Sequence, residues 1–145
     1  MPIPYSILRD KFPKSVSDEV LFEALLTCTF MVRGNLILQS RLVPLKPAVA
    51  QARTFLLFLL QTIGVVHRSR LNHVYEDDSE VTPEAILMLL EQVAKKTNEG
   101  WKLKVDDDES VLERAPLVVQ KLMQFWGTQL RRFQPLLDRY REDMF

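Results

Sequence analysis

The chain has 145 residues, 47% of them hydrophobic and 26% charged, which fits a soluble globular protein of one ordinary domain or two small ones. Its lone cysteine, Cys28, excludes an internal disulfide and fits a reducing compartment. The zero net charge conceals an asymmetry, nine Lys/Arg against four Asp/Glu in residues 1–75 and ten against fifteen in residues 76–145, and it excludes the uniformly basic signature of a dedicated nucleic-acid binder.

Taken in chain order, Pro4 to Phe12 reads as a short helix with Tyr5, Leu8 and Phe12 on one side. The opening Met1-Pro2-Ile3-Pro4 has neither a basic nor an apolar leader region, so no secretory signal is expected. Ser17 is a natural N-cap for a helix to about Phe30, with Val20, Leu21, Ala24, Leu25 and Cys28 as its apolar stripe. Leu36 to Val43 reads as a strand region that Pro44 and Pro47 close. A helix from about Ala48 to Ile63 is apolar nearly all round and should be the centre of the core, around Phe55, Leu56 and Leu59. Even its run Phe55–Leu60 is too short to span a bilayer.

Gly64 should end that helix, and Val66 to Val74 should form a shorter one. Thr82 caps the next, with Pro83 at its first position, running to about Lys95 with Lys95 and Lys96 in its last turn. Trp101 to Val105 reads as a second strand, and Ser110 to Arg114 as one helical turn. Pro116 opens a long amphipathic helix to about Tyr140. Val119, Leu122, Met123, Trp126, Leu130 and Phe133 are its expected inner side, and Pro135 should kink or end it.

Two stretches repeat one pattern about 65 residues apart. The first runs from Ser17-Asp18-Glu19 through an apolar helix to Gly34-Asn35-Leu36, and the second from Thr82-Pro83-Glu84 to Gly100-Trp101-Lys102. A capped helix followed by a Gly-marked strand is the tail of a winged-helix domain. The expected fold is therefore mainly α with short β wings: tandem winged-helix units at 1–46 and 47–145, the first without an obvious opening helix, the second carrying the long C-terminal helix.

Chemistry-bearing motifs are scarce. His67 and His73 lie six apart and so do not share a helical face as metal ligands would. Cys28 falls on an apolar stripe, where burial is the natural role. There is no G-x-S-x-G elbow, phosphate-cradling loop or dinucleotide fingerprint. Asp106-Asp107-Asp108-Glu109 reads as a solvated loop. No enzyme, metal, cofactor, small-molecule substrate or membrane partner is expected.

A winged helix raises the question of DNA. The two candidate recognition helices carry Asp18, Glu19 and Glu23, and Glu84 and Glu91, with no Lys or Arg until Lys95, and carboxylates at that face would repel a duplex. Protein docking is the favoured reading, and an independent winged-helix DNA-binding regulator is the alternative. Basic residues gather instead at Arg33, Arg41, Arg53, Arg68 and Arg70, a candidate contact patch that could touch a phosphate backbone weakly, the plainer reading being scattered solvated side chains. Trp101 and Trp126 are expected in the core, Trp126 against the helix built around Phe55.

The string Val32 to Ser40, with Gly34-Asn35 at its turn, resembles the first-wing segment of the fifth subunit of eukaryotic RNA polymerase III, the Sin-like family. Ala52-Arg53-Thr54-Phe55, Gly100-Trp101, and Pro116-Leu117-Val118-Val119-Gln120 followed by Trp126 resemble the same subunit, in the same order, from about Tyr5 to Tyr140. Leu36 stands where an aromatic follows Gly-Asn in that pattern, and the link between the units is shorter. The resemblance is to the C-terminal tandem winged-helix part of the subunit. It implies a nuclear, non-catalytic interaction module whose partners are other polymerase III subunits or transcription factors, with no catalytic residue to carry over.

Overall fold

Ser17 and Thr82 begin their helices as capping chemistry requires: the Ser17 hydroxyl accepts from the Val20 amide, and Thr82 from the Ala85 amide. The computed structural model describes residues 1–142. It orders them as β1 (Ile3–Pro4), α1 (Tyr5–Arg9), α2 (Asp18–Leu25), β2 (Thr29–Val32), β3 (Asn35–Leu38), a 3₁₀ turn (Ser40–Leu42), α3 (Pro47–Thr62), α4 (Arg68–Val74), α5 (Pro83–Val93), β4 (Ala94–Thr97), β5 (Gly100–Leu103), α6 (Ser110–Arg114) and α7 (Pro116–Arg141). At 57% helix and 13% strand the architecture is mainly helical, with two small sheets and a long C-terminal helix. Among the described residues, no helix is long and apolar enough to cross a membrane.

The repeat is visible in the topology. β1 and β2 flank β3 in an antiparallel sheet of order β1-β3-β2. β4 pairs with β5, and Val66 forms an isolated bridge to Trp101 on β5, matching the place of β1 beside β3. Each half thus runs through a short extended segment, two helices and a hairpin.

Several boundaries differ from the sequence expectation. Helix α2 stops at Leu25 rather than Phe30, because Thr29–Val32 pairs with β3 across the two-residue turn Arg33-Gly34. Both turn residues have positive φ, 50° and 79°, the handedness a two-residue hairpin needs. The Thr27 and Thr29 hydroxyls donate to the carbonyls of Ala24 and Leu25, at 2.7 Å each, satisfying the end of the helix. Val20 and Ala24 of the expected stripe face solvent, while Leu21 and Phe22 are buried. The strand expected over Leu36 to Val43 ends at Leu38 and gives way to the 3₁₀ turn. Lys95 and Lys96 lie in β4, not in a last helical turn, since Ala94–Thr97 is held by its ladder to Gly100–Leu103 and by the Thr97 hydroxyl donating to the Gly100 carbonyl. Pro135 stands inside α7, which continues to Arg141.

Two hydrophobic clusters share the first sheet. Met31 and Leu36, paired across β2 and β3, join Tyr5, Leu21 and Phe22 on one side. Val32 and Ile37, one residue on in each strand, face the large cluster built on α3, where Phe55, Leu56 and Leu59 are at most 1% exposed. The period of two thus sends alternate side chains to different cores. Helix α7 closes both, giving Val118 to the smaller cluster and Trp126, Phe133, Leu137 and Tyr140 to the larger. This buried line is turned a fraction of a helical turn from the expected one, so Met123 and Leu130 face outward, 70% and 38% exposed.

Candidate functional site

An apolar groove of about 530 Å³ opens where the Arg33-Gly34 turn, the end of α3, the 107–109 loop, α6 and the first half of α7 meet. Met31, Val111, Leu122 and Trp126 line its depth, and Leu112 and Met123 form lips that are 58% and 70% exposed. The Trp126 indole Nε1–H donates to the Met31 carbonyl at 3.1 Å, pinning α7 to β2. Its ring lies between Phe58 and Phe125, at centroid distances of 6.4 and 4.9 Å.

Polar contacts fix the wall opposite. The Arg33 amide donates to Gln61 Oε1 at 2.6 Å, its Nε to the Leu60 carbonyl at 2.8 Å, and its guanidinium pairs with Asp107 at 3.2 Å. The Arg33 carbonyl accepts from the Asp108 amide, and the buried Asn35 side chain donates to the Asp106 carbonyl. Gly34 is required here, because a Cβ at that position would overlap the Asp108 carbonyl. The Asp108 carboxylate accepts from the Ser6 amide at 2.8 Å and from the Ser110 amide and hydroxyl at 3.0 and 2.6 Å, tying the starts of α1 and α6 together. Burial alone would raise its carboxyl pKa, but these hydrogen bonds outweigh burial and hold it below the ordinary value.

The five arginines of the candidate patch stand in different surroundings. Arg33 stands at the groove. Arg41 is exposed and donates to the Thr27 carbonyl and to Gln39 Oε1. Arg53 is 4% exposed, donates to the Leu38 carbonyl and the Ser40 hydroxyl, and has its pKa pushed down by burial. Arg68 and Arg70 are half-buried on α4, where Arg70 donates to the Tyr140 and Glu142 carbonyls at the far end of α7. Arg41 and Arg53 share the segment 38–41, and Arg68 and Arg70 share α4. Trp101 is half-buried and packs against the larger cluster, and Trp126 is 8% exposed.

Residues 3–135 match the family model described as RPC5 protein. The chain belongs to the RPC5 family. This is the family of subunit C5 of RNA polymerase III, so membership places the chain in transcription, with a nuclear function. No curated protein matches it.

The groove offers apolar surface framed by backbone that Arg33, Asn35 and Asp108 hold in place. Among the described residues, no three His, Cys, Asp or Glu side chains converge as metal ligands. The sequence does not reveal the groove, because the periodicity of α7 points Met123 inward and the single turn over Ser110 to Arg114 gives no sign that Leu112 is exposed beside it. The Arg33-Gly34 pair between two apolar runs was the available signal for the tight hairpin that builds one wall.

Proposed function

We propose that this chain is a non-catalytic docking module of RNA polymerase III, built as tandem winged-helix units at 1–46 and 47–145, which holds another subunit or a transcription factor. The observation that carries this reading is the apolar groove over Trp126 with its exposed lips Leu112 and Met123, since concave apolar surface of this kind serves recognition. The repeated order of extended segment, two helices and hairpin supports the winged-helix reading. Acidic first turns on α2 and α5 favour a protein partner over a duplex in the groove-reading role. In this reading Arg33, Arg41, Arg68 and Arg70 give at most a weak contact to a nucleic-acid backbone, while Arg53 is structural.

The test is co-purification. The tagged chain, expressed in cells, is expected to recover RNA polymerase III subunits in near-equal amounts, and nuclease treatment should leave that recovery unchanged. Absence of polymerase subunits, or their loss on nuclease treatment, would overturn the docking reading and favour the DNA-binding alternative.

A further inference from the structure

We infer that the groove receives a helical segment of another polymerase subunit, about three turns long, whose apolar anchors are flanked by Lys or Arg. The inference rests on the docking reading above and adds the chemistry of the occupant.

The apolar part follows from the layout of α7. Val119, Met123, Trp126 and Leu130 recur at helical spacing along one side, running from the groove toward the middle of the helix. At 1.5 Å per residue the stripe is about 16 Å long, enough for some three turns of an amphipathic helix laid alongside. Met123 at 70% exposure and Leu112 at 58% stand clear of the surface as partners for such anchors.

The charge follows from the rim. Asp107 and Glu109 line the groove and are exposed, Asp106 is exposed next to Asp107 in the chain, and Glu113 is exposed one turn further along α6. Among the described residues, only Asp107 of these four takes part in an ion pair, with Arg33. The half of the chain that carries this rim has five more acidic than basic side chains. A cationic flank on the incoming segment would be drawn to these carboxylates, whereas a duplex, an RNA or an acidic peptide would be repelled.

The experiment places the photo-crosslinking residue benzoylphenylalanine at position 123 of the full chain, and the chain is purified with RNA polymerase III and irradiated. The expected adduct joins one subunit, within a segment whose apolar residues recur every three or four positions next to Lys or Arg. Met123→Lys should lower recovery with the polymerase at least tenfold. Glu109→Lys with Glu113→Lys should lower it several-fold at low salt and less at high salt. Leu117→Lys, at a 67% exposed position on the other side of α7, should leave it unchanged. Near-ultraviolet circular dichroism reports that each variant is folded. An adduct with an acidic segment, with nucleic acid or with a second copy of this chain would overturn the inference. So would no adduct, or full recovery of Met123→Lys, from a chain that does co-purify. Failure of the unaltered chain to co-purify would sink the docking reading itself, and the two failures are therefore distinct.

Discussion

Arg53 and Arg41 differ by twelve positions in sequence, and one is buried while the other is exposed. The Arg53 guanidinium enters the core edge and supplies donors to the Leu38 carbonyl and the Ser40 hydroxyl, which also accepts from Thr54 at 2.8 Å. Removing it strands buried acceptors, so Arg53→Ala should cost about 3 kcal/mol in denaturant melts. Arg41→Ala, at the surface, should cost less than about 1 kcal/mol in the same melts. A reversed order would show that the buried contacts do not govern stability. Sequence alone gives no means of ranking five arginines, because burial of a long cation depends on which carbonyls the fold leaves unpaired nearby. Asp108 is a parallel case: a run of four acids reads as solvent, yet one of them reaches the Ser6 amide 102 positions away. Its folded pKa is depressed, so its contribution is present above its ordinary value of 3.8 and lost as pH falls through the folded value. Asp108→Asn should therefore be less stable than the parent at neutral pH. The gap should narrow on acidification below about pH 4, as followed by thermal melts across pH. A gap that stays constant would remove the carboxylate from the account.

At the scale of elements, helix starts were legible and helix ends were not. Ser17, Thr82, Pro83 and Pro116 mark their helices correctly because caps act within one turn. The ends of α2 and α5 were misplaced because ladders to residues further along the chain captured Thr29–Val32 and Ala94–Thr97, and such pairing overrides local preference. Helix α7 shows a second limit. Its apolar residues outnumber what one buried stripe needs, and sequence does not say which shoulder faces out; Leu137 and Tyr140 took the interior and Met123 and Leu130 the surface. That surplus is the groove. Trp126 lies in both accounts, since it closes the core and floors the site. Trp126→Ala should cost about 3–5 kcal/mol, and Trp126→Phe about 1–2 kcal/mol through the lost donor to Met31. A loss under about 1 kcal/mol for the alanine variant in urea melts would show that this part of α7 does not seal the core.

At the scale of the molecule, the charge asymmetry and the two clusters describe one object differently. The acidic second half supplies Asp107 and Glu109 to the groove, while in the basic first half Arg33, Arg41 and Arg53 each donate to a backbone carbonyl. Affinity for random duplex DNA should accordingly be weak at physiological salt, with a shallow dependence on salt concentration. Each phosphate neutralised would steepen log K against log salt by about 0.9, so a slope of several units with micromolar binding would contradict this. Fluorescence anisotropy on a labelled duplex across salt concentrations provides the check.

Both cores wait for α7, and α7 is made late. At about 5–20 residues per second its 26 residues take roughly 1–5 s to synthesise. During that interval Phe22, Phe55 and Phe58 belong to a nascent chain whose final wall is missing. Birth on the ribosome is therefore the moment of greatest exposure for this protein. A chain halted after Ala115 should be held by chaperones rather than released as a smaller soluble version of itself.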